Sequence, residues 1–284
     1  MITLKSQREI DQMQRSSKIL ADIHIHLRDM IKPGLDMWEI ESYVRQVCKE
    51  KNVLPLQIGV DEGYYNPYPY ATCCCLNDEV AHAFPRHYIL KEGDLLKVDM
   101  VLGLVEDDYV DVAKLDFDDA EAMQPIIEGF RGGVADSAWA YKVGQVSKQV
   151  SDLWEVTREC LYKGIEASVV GNRIGDIGAV IQEYAESRDY GVVRDLCGHG
   201  VGPSMHEDPL IPHYGVAGHG IRLREGMVLT IEPMINTGGW EIKHDGERGY
   251  VTADGSLSCQ MEHQFVVTKD GPVILTSQGK ERTY

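Results

Sequence analysis

No stretch of this chain stays apolar for the roughly 20 residues that a bilayer-spanning helix needs. The opening run MITLKSQREIDQ also lacks the apolar centre of a secretory leader. The expectation is a cytoplasmic protein with no membrane segment. Basic charge is scarce: 28 Lys and Arg stand against 45 Asp and Glu, a net charge of −17. Tight binding to nucleic acid needs a basic surface, so direct DNA binding is not expected. Cysteines spaced for a disulfide framework or a zinc knuckle are missing too. There are seven, an odd count, and Cys73, Cys74 and Cys75 are consecutive, which reads as a reduced protein with partly buried thiols. The remainder is ordinary for a globular chain. It is 284 residues long, 43% apolar and 26% charged, enough to bury a large core as one domain or two.

Two helix–helix–strand patterns are present. Ser6 and Glu9 form a capping box, and Ile10, Met13, Leu20, Ile23, Leu27 and Met30 recur at helical steps, so a helix is expected to about Ile31. Lys32-Pro33-Gly34 ends it, and a second helix opens at Asp36-Met37-Trp38-Glu39 with Ile40, Val44 and Val47 inward. Further on, a helix from about Val146 places Val150, Leu153, Val156 and Cys160 on one face. After Gly171 another carries Ile174, Ile177, Ile181 and Tyr184. Two strand-like runs share a design. Leu90-Lys91-Glu92-Gly93-Asp94-Leu95-Leu96-Lys97-Val98-Asp99 and Leu223-Arg224-Glu225-Gly226-Met227-Val228-Leu229-Thr230-Ile231-Glu232 each pass from a turn through an apolar strand to an acid. The strands are offset by 133 residues (90 to 223) and the helices by 137 (Gly34 to Gly171). Such agreement points to an internal duplication within a single catalytic domain spanning 1–284, of class α+β. Residues 103–130 fit the plan poorly. They carry Glu106, Asp107, Asp108, Asp111, Asp116, Asp118, Asp119 and Glu121, and read as an inserted, solvated excursion, too apolar in places to be disordered.

A carboxylate at the end of an apolar strand is costly unless it is paired or bound to a metal. Asp99, Asp136, His199, Glu232 and Glu262 are the candidates for such a site. Carboxylates with one imidazole suit divalent first-row metals. Four acids and one His are enough for two ions about 3.5–4 Å apart sharing a water, an arrangement that hydrolyses an amide or ester.

The blocks NDEVAHAFP (77–85), EGDLLKVD (92–99), GHGVG-x-x-MHEDP (198–209), TIEPM (230–234) and SLSCQMEH (256–263) together resemble the type I, bacterial methionine aminopeptidases, in order, from about residue 2 to 276. The resemblance implies the pita-bread fold: two pseudo-two-fold halves of helices on a curved antiparallel sheet. It implies Asp99, His199, Glu232 and Glu262 as metal ligands for two divalent ions (Co²⁺, Mn²⁺, Fe²⁺ or similar). For the second aspartate, Asp136 is favoured because the Val143-Gly144 ending after it matches the family's strand, with Asp111, only 12 residues after Asp99, as competitor. It implies His82 and His206 at the scissile amide, Glu232 as proton carrier, and Tyr65, Tyr68, Cys73 and Met205 around the methionine side chain. The usual pocket Trp is lacking, and Tyr250 is the nearest aromatic. The implied activity is removal of the initiator methionine from nascent polypeptides at the ribosome, by a monomer. Two alternatives remain. One is a proline-specific aminopeptidase or prolidase-like hydrolase, a group that usually carries a large extra N-terminal domain. The other is a catalytically silent pita-bread binding protein, a kind that loses metal ligands.

Overall fold

The computed structural model describes residues 2–60 and 67–279. Helix α1 (Gln7–Met30) starts at the capping box: the Ser6 amide donates to Glu9 Oε2 at 2.7 Å, and the Glu9 amide returns a bond to Ser6 Oγ. The α2 helix (Trp38–Lys51) begins two residues later than expected, because the Asp36 carboxylate accepts the Trp38 amide at 3.1 Å and holds the turn open before it. Beyond Ser147, whose hydroxyl accepts the Val150 amide, comes α4 (Lys148–Ala167), and after it α5 (Ile174–Glu186); α3 (Ala120–Gly129) lies between the two pairs. The order of a long helix, a shorter helix and then strands therefore occurs twice.

Every strand pairing is antiparallel. In one sheet, Leu95–Leu104 runs between Val134–Lys142 on one side and Val53–Pro55 and Cys73–Leu76 on the other. In a second, five-stranded sheet the order is Gly271–Ile274, His263–Thr268, Val228–Ile231, Gly198–Gly200, Glu207–Ile211, and two three-stranded sheets accompany these among the described residues. The strands in contact with helices are buried on both faces, so they read as continuous apolar runs rather than alternating ones: Leu95, Leu96, Val98, Met100, Val101 and Leu102 are all inside. One apolar cluster takes in residues from α1, α2, α4 and α5 together with the two larger sheets. This is the α+β pita-bread architecture.

The acidic segment differs from a solvated excursion. The strand before it continues to Leu104 and pairs directly with the strand after it, from Leu95–Lys142 to Gly103–Val134, so the segment joins two adjacent strands. Its acids stay outside, whereas Val112, Phe117, Met123 and Phe130 are buried and pin it to the core. α3 lies directly on Gly59 (φ +88°): a Cβ there would come 2.7 Å from the Gln124 amide nitrogen. A segment with such apolar anchors folds down despite its charge, since the acids need only the outer face.

Candidate active site

Asp99 sits in mid-strand, opposite Cys73 on one side and Ala138 on the other. Asp136 is two residues before Ala138 on the neighbouring strand, so it shares a sheet face with Asp99 as its diagonal neighbour. Thirty-seven residues of chain separate two carboxylates that the register puts side by side. The Asp136 amide donates to Gln264 Oε1 at 2.8 Å. Two further bonds tie this strand to the second half: Glu262 N to Ala138 O (2.8 Å) and Ser137 Oγ to Glu262 O (2.9 Å). They carry Glu262 to the side of Asp136.

His199 is held from its backbone, whose N–H donates to Thr230 Oγ1 at 3.0 Å. Its Nδ1 lies 3.0 Å from Gly200 O and donates there, which leaves the Nε2 lone pair facing the acids, 3.4 Å from Asp136 Oδ2 and 3.7 Å from Glu232 Oε1. Burial first, and His206 second, push the His199 imidazole down to about 3, so it is neutral. Glu232 follows immediately after its strand Val228–Ile231. Its amide donates to Nε2 of the fully buried His213 at 3.1 Å, and its two carboxylate oxygens receive Thr230 Oγ1 and Gln260 Nε2, each at 3.3 Å.

Burial, then Asp99 and Asp136, raise the Glu232 carboxyl well above its ordinary range; burial, then Asp136, Glu232 and Asp99, do the same to Glu262. Four carboxylates thus share a site in which no described cavity-lining residue is a Lys or Arg. One donor atom each of Asp136, His199 and Glu262 falls within 4.8 Å of the others. Oxygen-rich donors with one neutral imidazole and no protein cation fit divalent metal ions.

The acids line a cavity of about 440 Å³ together with His82, His206, Tyr68, Cys73 and Met205. The His206 ring meets His199 edge to face, with centroids 4.5 Å apart. His82 adopts a left-handed backbone (φ +60°), a conformation that costs a side chain of this kind of order 1 kcal/mol unless its surroundings impose it. The hairpin at 242–252 imposes it: Tyr250 pairs with Ala81, and a Cβ at Gly249 (φ +63°) would sit 2.3 Å from Ala81 O. Tyr250 packs edge-on against His82 at 5.8 Å, which is where the missing Trp led the sequence to look. Burial, then His244, lowers the His82 imidazole to about 4.

Of the residues expected from sequence, Asp99, Asp136, His199, Glu232, Glu262, His82, His206, Tyr68, Cys73 and Met205 meet around this cavity, while Tyr65 lies outside the described residues. The competitor Asp111 is exposed and pairs with Lys114 at 2.8 Å, at the start of a short 3₁₀ turn in the insertion. Sequence reasoning missed Thr230, Gln260, Gln264, His213 and Gln57. For Thr230 and Gln260 a signal existed: each lies two residues before a glutamate, and so on the same strand face. His213 and Gln57 come from outside any motif, and only folding brings them in.

The profile of Metallopeptidase family M24 matches residues 11–113 and 127–269, broken within the insertion. Methionine aminopeptidase A of Synechocystis sp. is 39% identical over 278 residues, 97% of each chain. Methionine aminopeptidase 1 of Bacillus subtilis is 36% identical over 277 residues, covering 97% of this chain and 99% of its own. Among solved structures, a methionine aminopeptidase from Streptococci superposes over the full length of both chains with a TM-score of 0.91 and 67% identity. The prolidase of Pyrococcus horikoshii shares only the fold, at 20% identity and a TM-score of 0.66, with 63% of its chain covered.

Proposed function

From its membership of metallopeptidase family M24, to which the chain belongs, we propose that it is a methionine aminopeptidase that hydrolyses the bond after an N-terminal methionine. The observation that carries the reading is the cavity itself, in which buried acids and a neutral imidazole share the lining with Tyr68, Cys73 and Met205. Aromatic and sulfur-bearing walls suit a thioether.

In this reading Asp99, Asp136, His199, Glu232 and Glu262 hold two divalent ions such as Co²⁺, Mn²⁺ or Fe²⁺. When bound, such ions neutralise the carboxylates, polarise the scissile carbonyl and lower the pKa of a water. The chain's own residues do the rest. Glu232, which bound cations would hold as the carboxylate, takes the proton of the attacking water and passes it to the departing amine. His206 and the neutral His82, both at the cavity wall, hydrogen-bond the scissile amide and hold the developing oxyanion. Thr230 and Gln260 orient the Glu232 carboxylate between these steps. The substrates we assign are the N-termini of nascent polypeptides emerging at the ribosome, in the cytoplasm, with the protein acting as a monomer. We also read residues 1–284 as one catalytic unit built by duplication.

Peptide cleavage tests the reading. Metal-stripped protein is expected to be inactive, and addition of Co²⁺, Mn²⁺ or Fe²⁺ to restore cleavage of Met-Ala-Ser but not of Pro-Ala or Ala-Pro. Cleavage of the proline peptides instead would move the chain to the prolidase-like branch. Failure to cleave any peptide under any metal would leave a binding protein.

A further inference from the structure

Gln57 is buried, belongs to no sequence motif, and lines the cavity beside Tyr68 and Cys73. Its Nε2 donates to Cys73 Sγ at 3.4 Å, and Tyr68 Oη lies 3.3 Å from the same sulfur. Its Oε1 is enclosed and has no hydrogen-bond partner. Stranding a buried amide oxygen costs about 1–3 kcal/mol, and such an oxygen in a native fold needs a reason. A thioether carries no donor for that oxygen; the part of Gln57 suited to a thioether is the nitrogen, held at the cavity wall by Cys73. That nitrogen carries two hydrogens, of which Cys73 takes one.

We propose that Gln57 is a specificity-determining residue, whose second N–H donates to the thioether sulfur of the substrate's methionine. The inference rests on the activity assigned above and deepens it. Shape and apolar surface alone separate methionine poorly from norleucine, which replaces the sulfur by a methylene. A donor placed at the sulfur separates them, because norleucine leaves that donor unpaired in a dry pocket. A thioether is a weak acceptor, so the discrimination is modest.

The test compares kcat/KM for Met-Ala-Ser and norleucine-Ala-Ser, with the metal-loaded full chain. Wild type is expected to favour methionine by about three- to tenfold, the range of one neutral hydrogen bond. Gln57→Leu and Gln57→Met, checked for folding by thermal melts, are expected to cleave both peptides with the ratio reduced towards one. Equal cleavage of the two peptides by wild type overturns the proposal without any variant. A variant that slows both peptides by the same factor overturns it as well, since Gln57 would then act only through Cys73. Absence of cleavage by wild type overturns the activity itself and the proposal with it, so the two failures are distinct.

Discussion

Asp99 and Glu232 end two runs of the same design, yet their surroundings differ. Asp99 is in mid-strand, flanked by Cys73 and Ala138 in register, so its backbone is fixed by ladders on both sides. Glu232 is one residue past its strand. Its amide leaves the ladder for the His213 imidazole, and its carboxylate is held by side chains, Thr230 and Gln260. The residues two positions earlier differ in the same sense. Lys97 is buried, its ammonium lowered by that burial, and it donates to Asn77 O at 3.0 Å, so it stabilises a turn. Thr230 instead accepts from His199 and donates to Glu232, linking two site residues. In the proposed mechanism the mid-strand acid serves as a fixed ligand, and the acid past its strand, held by side-chain bonds, takes and returns the proton.

The largest effects would break this contrast most directly. Glu232→Gln is expected to lower kcat by about 10²–10⁴-fold, the usual worth of a positioned acid–base group. Asp99→Asn is expected instead to show first as lost metal stoichiometry in a titration. If both variants lose metal alike and neither shows a separate effect on kcat, the division of roles is wrong. His206→Ala is expected to cut kcat by about 10²–10³-fold with metal content unchanged, as for loss of one oxyanion donor; near-wild-type turnover would remove His206 from the mechanism. Thr230→Val should cost about 10–100-fold in activity or metal affinity, as for other groups that orient a ligand. Lys97→Met, its counterpart in the first half, should leave turnover within about twofold, because its bond serves the turn at Asn77.

The smallest effect concerns stability. His24 of α1 braces the first-half strand, with Nδ1 2.7 Å from Tyr141 Oη and Nε2 3.2 Å from Ser137 O. Burial lowers it from 6.5 to about 3. The unfolded chain therefore binds a proton below 6.5 that the folded chain refuses until about 3, and stability falls as pH drops through that window. One such group contributes a slope of at most about 1.4 kcal/mol per pH unit. His24→Gln should flatten the fall of Tm between pH 6 and pH 4 relative to wild type; an unchanged slope would show that other groups carry it.

Much of the site was legible because its residues sit in short motifs whose local structure is set by neighbours. Turn-then-strand patterns placed Asp99 and Glu232 at useful positions, and helical periodicity found α1, α2, α4 and α5 to within two or three residues. Asp136 against Asp111 was harder. The Val143-Gly144 ending favoured Asp136, the short distance of Asp111 from Asp99 kept it as competitor, and the register of two paired strands puts Asp136 diagonal to Asp99. Charge dominates the composition of the insertion, while separated apolar residues, among them Val112, Phe117, Met123 and Phe130, fold it onto the core.

By itself, the sequence determined what is local: helices from 3.6-residue periodicity, turns from glycine, acids closing apolar runs, and the motif blocks that carry the family likeness. The tertiary structure alone decided what depends on contacts between distant segments. It set Glu262 beside Asp136 through one backbone bond and one from the Ser137 hydroxyl, hung the Glu232 amide on His213, pressed Gly249 against Ala81 to hold His82 in its left-handed turn, and brought Gln57 to Cys73. None of these has a sequence period, because each is fixed by packing and by the need to satisfy buried polar groups once the two halves close on each other.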